Sequence, residues 1–185
     1  MKRHAIHATA VALGIMMVWT LAACSTAPST AEGKSDIQQQ ATSALAKAKA
    51  KDPTLADKLN QAAGYAVFPA VGKGAAGVGG AYGRGVLFQN GQPIGYCDLT
   101  QASVGLQLGG QKYSEIIAFQ TQDALQKFKG GHFALSAQAS AVALESGAAA
   151  NAKYANGVAV FTMDQKGLMY EASIGGQKFG YQPMT

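Results

Sequence analysis

The spacing of apolar and polar residues divides the chain into a helical first part and a strand-rich remainder. Apolar residues recur at helical spacing over residues 36–51, and a second short helix is predicted to start at Thr54. The first helix is expected to begin with a capping box between Ser35 and Gln38 and to stop at Asp52-Pro53. The pattern therefore predicts two consecutive helices ahead of the first strand.

From Tyr65 onward the pattern is typical of a β-sheet. Strands are predicted over residues 65–68, 77–88, 94–99, 103–108, 116–119, 158–163 and 168–174. A short helix is expected at 121–129, and Asn90-Gly91 is a typical hairpin turn. Residues 133–144 fit a helix by alanine content and a strand by alternation, and the alternation favours a strand. We therefore expect an α+β fold, in which N-terminal helices pack on a strongly curved, mostly antiparallel sheet or partial barrel.

A glycine-rich stretch, residues 72–85, overlaps a literal G-x-G-x-x-G match at 72–77. A dinucleotide site needs a helix to begin there, because the helix N-terminus binds the pyrophosphate. Four glycines in the next eight residues make a helix unfavourable, so nucleotide binding is not expected. The glycines instead indicate a strongly coiled strand with close backbone approach, and a backbone surface that faces a ligand is the alternative.

The N-terminal region has the order of an export signal. Lys2 and Arg3 precede a mostly apolar run, which ends in Leu21-Ala22-Ala23-Cys24. This order resembles the bacterial lipoprotein signal, whose cysteine becomes a lipid-modified N-terminus. An ordinary signal peptide and a short transmembrane helix are alternatives, but the run is shorter than the about 20 apolar residues that a spanning helix needs. We expect 1–23 to be the signal peptide, 24–35 a lipidated N-terminus with a flexible tether, and 36–185 the folded domain.

Charge and composition exclude several kinds of function. The net charge is +5, and removal of Lys2 and Arg3 with the signal would leave +3 and a single arginine, Arg84, which argues against nucleic-acid binding. The same removal leaves His132 as the single histidine, so a metal site with two histidines cannot form within one chain. We expect Cys97 to be a small buried side chain. We expect no cofactor, no metal and no enzymatic activity.

Several glycine-rich and aromatic blocks occur in an order that resembles the SYLF domain. They are AGYAVFP at 63–69, Lys73, GVGGAYGRGVL at 77–87, YCDL at 96–99, SVGLQLGG at 103–110 and FALSAQA at 133–139. The resemblance covers most of residues 54–178. It implies a phospholipid-binding domain, which eukaryotic relatives associate with phosphoinositides and actin and which bacterial members often carry as small exported lipoproteins. Because a bacterial envelope offers neither actin nor an ordinary phosphoinositide pool, we expect lipid binding without actin binding.

The resemblance and the export signal together predict an envelope lipoprotein whose SYLF-like domain binds anionic phospholipid head groups. In the family, membrane contact is attributed to an N-terminal helix and basic residues, and the positional counterpart here is residues 36–58. The predicted lipid-binding residues are Lys47, Lys49, Lys51, Lys58, Lys73 and Arg84. Cys24 is the predicted lipidation site, with a palmitate-type acyl anchor in the membrane. Ser25 after it favours the outer membrane, with the domain facing the periplasm.

A structural or protein-interaction lipoprotein is the alternative function. The acyl anchor would then be the protein's one contact with lipid, and the Gly/Ala-rich surfaces would pack against envelope proteins. In that case the lysines at 47–58 would form an ordinary solvated face. Binding of the unacylated chain to anionic vesicles distinguishes the two functions.

Overall fold

Four helices and seven strands make up the part of the chain that the computed structural model describes, residues 26–76, 78–103, 111–136, 139–164 and 174–184. The helices are α1 (Ala31–Lys51), α2 (Thr54–Asn60), α3 (Gln122–Lys129) and α4 (Ala148–Asn151). The strands are β1 (Gly64–Ala76), β2 (Val78–Gln89), β3 (Gln92–Ser103), β4 (Gln111–Phe119), β5 (Val142–Ala143), β6 (Val158–Asp164) and β7 (Gln177–Pro183).

The strands form one sheet in the order β5-β6-β4-β1-β2-β3-β7. Every described pairing is antiparallel except the short parallel contact between β5 and β6. The described strands leave the sheet open, with β5 and β7 at its two ends. The predicted α+β class, with N-terminal helices on a mostly antiparallel sheet, is confirmed.

Each face of the sheet carries its own apolar core, because side chains alternate between faces along a strand. The α1 face, which includes Val67 and Val86, packs under α1, α2 and α4. The α3 face, which includes Phe68, Leu87 and Ile117, packs under α3. The domain is therefore a sheet between two layers, with α1 lying across β1 and β2.

A bulge in β1 changes which residues belong to each face. The register with β2 shifts between Val67 and Ala70, and the register with β4 shifts between Phe68 and Val71. Phe68 and Val71 consequently both lie in the core of the α3 face, although a regular strand would place them on opposite sides. Beyond the bulge, Ala70 and Gly72 take the α1 face.

The core of the α3 face is rich in aromatic rings. The rings of Phe119 and Phe128 lie 4.8 Å apart between centroids, and the ring of Phe133 lies 5.8 Å from that of Phe119. Phe179 of β7 joins the same cluster, 5.5 Å from Phe128. This cluster holds α3 against both β4 and β7.

The first helix begins earlier than predicted. It starts at Ala31 instead of residue 36, because the Thr30 hydroxyl caps it by accepting a hydrogen bond from the Gly33 backbone N–H at 3.0 Å. The predicted capping box at Ser35 is therefore wrong, since that residue lies inside the helix. Residues 31–35, expected in the flexible tether, are helical, and Ala27 is buried ahead of them. The predicted helix end at Asp52-Pro53 is confirmed.

The strand predicted over residues 133–144 is also wrong, apart from β5. The backbone of Leu135 exchanges hydrogen bonds with Gly176 and Gln177 at the start of β7. The segment then leaves β7 and reaches β6 at the other end of the sheet, where β5 forms. Because this segment crosses from one edge of the sheet to the other, it contacts β7 and then β6 and does not pair continuously with either strand.

The outcome for the remaining predicted turn, helix and strands depends on whether the structure describes their residues. The Asn90-Gly91 turn is confirmed, with both residues at positive φ, 51° and 75°. The helix predicted at 121–129 is confirmed as α3, with Thr121 as its N-cap. Most of the strands predicted at 103–108 and 168–174 lies outside the described residues. Neither α4 nor β7 was predicted.

Candidate functional site

A groove of about 710 Å³ opens between the flank of α1 and the sheet. Its helical wall is polar and its sheet wall is largely apolar. The lining residues are Gln39, Gln40, Ser43, Ala44 and Lys47 from α1, and Pro69, Ala70, Ser114 and Met163 from the sheet.

The polar wall follows from helical spacing. Residues 40, 43 and 47 are three and four positions apart, which places them in one stripe along the helix. The buried stripe of α1, which includes Ala41 and Leu45, lies beside it and holds the helix on the sheet. Lys47 is exposed and brings an ammonium group with three donors, while the glutamines and Ser43 add neutral donors and acceptors. Such a wall is suited to a ligand with anionic oxygen atoms.

The sheet wall is shaped by the bulge in β1. The Ser114 hydroxyl donates a hydrogen bond to the Pro69 carbonyl at 2.8 Å, at the point where the register shifts. Ala70 is exposed and Met163 half-buried, so both present carbon atoms to the groove. Among the described residues that line the groove, none carries a carboxylate. The groove therefore combines one cation, several neutral polar groups and an apolar floor.

The fold brings Lys47 and Arg84 to the same side of the sheet. Arg84 is the cross-strand partner of Ala70, whose side chain lines the groove, so the two side chains are neighbours on the α1 face. Its guanidinium Nε donates a hydrogen bond to the Tyr82 hydroxyl at 2.9 Å. Two of the predicted lipid-binding residues thus converge on one surface.

The other predicted cations are placed elsewhere. Lys49 and Lys51 lie in the last turn of α1, and neither lines the groove. Lys58 has structural contacts: its Nζ donates to the Ala152 carbonyl at 2.6 Å and lies 4.7 Å from the centroid of the Tyr154 ring. Lys73 belongs to β1, and its side chain lies outside what the structure describes.

Neither the predicted lipidation site nor the other chemical candidates add to this groove. Cys24 lies outside the described residues. Cys97 is buried as predicted, and burial together with the charge of Asp98 raises the pKa of its thiol well above the usual value. His132 is exposed. The glycine motif at 72–77 lies in strands as far as the chain is described there, so no helix N-terminus follows it as a dinucleotide site requires.

Comparison with known proteins bears on the domain as a whole. The family model of the SYLF domain, described as Ysc84, Las17-binding protein actin regulator, matches residues 100–182. The SYLF resemblance is confirmed over these residues. Beta cell expansion factor A of Aeromonas veronii is 28% identical over 84 residues, which are 45% of this chain and 32% of that protein. The chain therefore spans about a third of that relative's length.

The SYLF match supports a lipid-binding or actin-regulator-like domain. The matched residues supply Ser114 and Met163 to the groove, while Lys47 and Arg84 lie ahead of the match. Within the described parts of the chain, no helix has the length and apolar character needed to cross a membrane.

Sequence reasoning missed most of the residues that line the groove. The stripe formed by Gln40, Ser43 and Lys47 is visible in the sequence as a helical spacing of polar residues, and it signals an exposed flank of α1. Met163 gives no such signal, because its place in the groove depends on the pairing of β6 with β4. The groove forms only where α1 packs on the sheet, so no stretch of the sequence reveals it.

Proposed function

We propose that this protein is an envelope lipoprotein, acylated at Cys24, whose SYLF domain binds anionic phospholipid head groups without catalysing a reaction. The outer membrane, with the domain on the periplasmic side, is the proposed location. The groove between α1 and the sheet carries the proposal for the domain itself, because one of its walls is polar and cationic and the other is apolar.

A phospholipid likewise has an anionic polar part and a less polar part. Its phosphate oxygens accept hydrogen bonds, and the Lys47 ammonium, Ser43 hydroxyl and Gln40 amide are donors on one wall. The less polar glycerol region matches the carbon atoms of Ala70 and Met163 on the other wall. Arg84, beside Ala70, adds a second positive charge next to the groove. The SYLF match supports this ligand class independently.

Vesicle co-sedimentation of residues 24–185 carrying Cys24→Ser tests the proposal, because this form has no acyl group and lacks the apolar run of the predicted signal, which would bind vesicles by itself. The chain is expected to bind vesicles that contain phosphatidylglycerol at low salt and to bind pure phosphatidylcholine weakly. A basic residue near an anionic surface contributes about 1 kcal/mol, so Lys47→Glu should weaken binding by about fivefold or more.

Lys127→Glu is the matched control. Lys127 is exposed on α3, on the opposite side of the sheet, and makes an ion pair only with Asp123 among the described residues. The same change of charge there should leave vesicle binding close to that of the parent chain. Equal affinity for the two kinds of vesicle, or no affinity for either, would overturn lipid binding and favour the protein-interaction alternative. Equal effects of Lys47→Glu and Lys127→Glu would overturn the groove as the site.

A further inference from the structure

A second pocket, of about 490 Å³, lies beside β6 and is separate from the groove. One of its walls is the segment that crosses from β7 to β5, and the other consists of residues between Lys153 and Val160. We call this space the β6-edge pocket. Its volume lies within the range that is typical of sites for small organic ligands.

The interior of the β6-edge pocket is apolar. Val158 and Val160 of β6 and Leu135 of the crossing segment are buried, while Phe133 and Val142 are half-buried. All of these except Val142 belong to the core of the α3 face or pack against it. The pocket is therefore an opening into this core, and a hydrocarbon group that enters it leaves water for an apolar environment.

The polar side chains of the lining lie at its exposed rim. Ser136, Ser140, Lys153 and Asn156 all line the pocket and are all exposed. None of the described lining residues carries a carboxylate, and Lys153 forms no ion pair within the described parts of the chain. The rim therefore offers one cation and several neutral hydrogen-bonding groups, which suits an anionic group.

The stretch of β6 beside the pocket is too short to accept an added peptide strand. At one end Ala155 pairs with Val158 through backbone hydrogen bonds in both directions, and at the other end β5 pairs with residues 161–162. Two residues remain between these contacts, whereas strand addition uses a row of successive main-chain hydrogen bonds. A narrow apolar space between two chain segments fits a single hydrocarbon chain instead.

We propose that the β6-edge pocket binds a single hydrocarbon chain that ends in a carboxylate or a phosphate. The chain lies between the crossing segment and β6, and its anionic end lies at the rim beside Lys153. This inference goes beyond the proposed function, because it assigns a second ligand class to a site that the groove does not include.

Binding of a fluorescent fatty acid tests the site. cis-Parinaric acid, added to residues 24–185 carrying Cys24→Ser, should bind saturably with one site per chain. Oleate and oleoyl lysophosphatidylglycerol are the anionic competitors, and the one that displaces the probe at lower concentration identifies the anionic group. Oleyl alcohol, which has no charge, should compete more weakly than either. Absence of saturable binding would overturn the site, and competition by oleyl alcohol as strong as that by oleate would overturn the role of the anionic end.

A larger side chain inside the pocket should displace the hydrocarbon chain. Ala139 lines the pocket and packs against the core of the α3 face, so Ala139→Leu adds its methyl groups inside. Oleate binding should weaken by about tenfold or more, which is the effect of losing the burial of about two methylene groups. Ala143→Leu is the matched control, because Ala143 is exposed in β5 and does not line the pocket. Equal affinity of the two variants for oleate, at a shared midpoint of urea unfolding, would overturn the pocket as the site.

Charge reversal at the rim is a second test, and its exposed position keeps the fold intact. Lys153→Glu should weaken oleate binding by about fivefold, the size of effect that an exposed ion pair can have, and leave oleyl alcohol binding unchanged. Lys127→Glu, on exposed α3 surface, should bind oleate like the parent chain. An equal effect of Lys153→Glu on oleate and oleyl alcohol would overturn the contact with the anionic end.

The outcomes separate this inference from the proposed function. Lys47→Glu, which alters the groove, should leave oleate binding unchanged, and Ala139→Leu should leave vesicle binding unchanged. If the chain binds oleate but no vesicles, this inference stands and the proposed function fails. If Lys47→Glu weakens oleate binding as much as Ala139→Leu does, the hydrocarbon chain lies in the groove and the β6-edge pocket is overturned as its site.

Discussion

At the scale of single residues, Asp52 joins three helices through one buried carboxylate. It follows the last residue of α1 and accepts hydrogen bonds from the Thr54 hydroxyl at 2.6 Å and the Ala149 backbone N–H at 2.6 Å. The Thr54 and Gly147 backbone N–H groups donate to it as well. Burial raises the pKa of this carboxyl, but the hydrogen bonds outweigh that effect and hold its pKa below the usual 3.8. The charged form is therefore favoured in the folded protein.

Asp52→Ala should lower the free energy of unfolding by about 2–3 kcal/mol at pH 7, because it leaves buried N–H donors without their acceptor. Urea denaturation measures this difference. Because the folded pKa is lowered, the contribution of the charge is fully present above pH 3.8 and is lost as the pH falls through the folded pKa.

The difference between parent and variant should consequently shrink between about pH 4 and about pH 2. Asp36→Ala, at an exposed position of α1, is the control and should change stability by no more than about 0.5 kcal/mol. A cost at Asp52 that did not depend on pH over that range would contradict the role of the carboxylate charge.

At the scale of elements, the β1–β2 hairpin explains part of the glycine-rich sequence. A Cβ on Gly85 would come within clash distance of the Val67 carbonyl oxygen and 2.8 Å from the Phe68 ring. This close approach occurs where β1 bulges. At Gly72, in contrast, a Cβ would meet nothing within 4 Å. Both glycines lie in paired strands. Close approach of the β1 backbone requires a glycine at position 85, whereas the space around position 72 would admit a side chain.

Gly85→Ala should lower the free energy of unfolding by about 1–3 kcal/mol, because the added methyl group forces the two strands apart. Gly72→Ala is its matched control and should be neutral or stabilising by up to about 1 kcal/mol, since it removes freedom from the unfolded chain. Urea unfolding of both variants measures the contrast. An equal loss of stability in the two variants would contradict the role of close backbone approach at Gly85.

The ends of the helices and turns show how much of the fold the sequence could predict. Local signals were sufficient for the Asn90-Gly91 turn and for α3, whose caps and apolar stripe lie within the element itself. The start of α1 was missed because Gly33 and the polar residues around it suggested a tether. In the structure a Cβ at Gly33 would lie 3.1 Å from Pro28, so this glycine permits close packing against the preceding turn. The boundary is therefore set locally, by the Thr30 cap and by this packing on Pro28, and the sequence offered that cap as well as the one at Ser35.

At the scale of the whole molecule, the order of strands differs from the order along the chain. The hairpin of β1 and β2 lies between β4 and β3 in the sheet. The family match at 100–182 contains β4, β5 and β6, nearly all of β7 and the end of β3, but neither β1 nor β2. Within the described sheet, the matched segment is therefore not contiguous.

A fragment limited to residues 100–182 should consequently be unfolded. Its strands lack the central hairpin, and the α1 face lacks the helix that covers β1 and β2. Far-UV circular dichroism and urea titration measure this, with the full chain as the control. A cooperative unfolding transition of the fragment would contradict the expectation.

The candidate site could be predicted only in part, for the same topological reason. Lys47 and Arg84 were selected as cations, but their convergence depends on the β1 bulge, which gives Ala70 to the α1 face.

The groove has one wall on α1 and the other on the sheet, which has a consequence for stability. A ligand that contacts both walls binds only while α1 is packed on the sheet, so it should raise the melting temperature of the domain. A ligand that reaches only the α1 wall would bind without this effect.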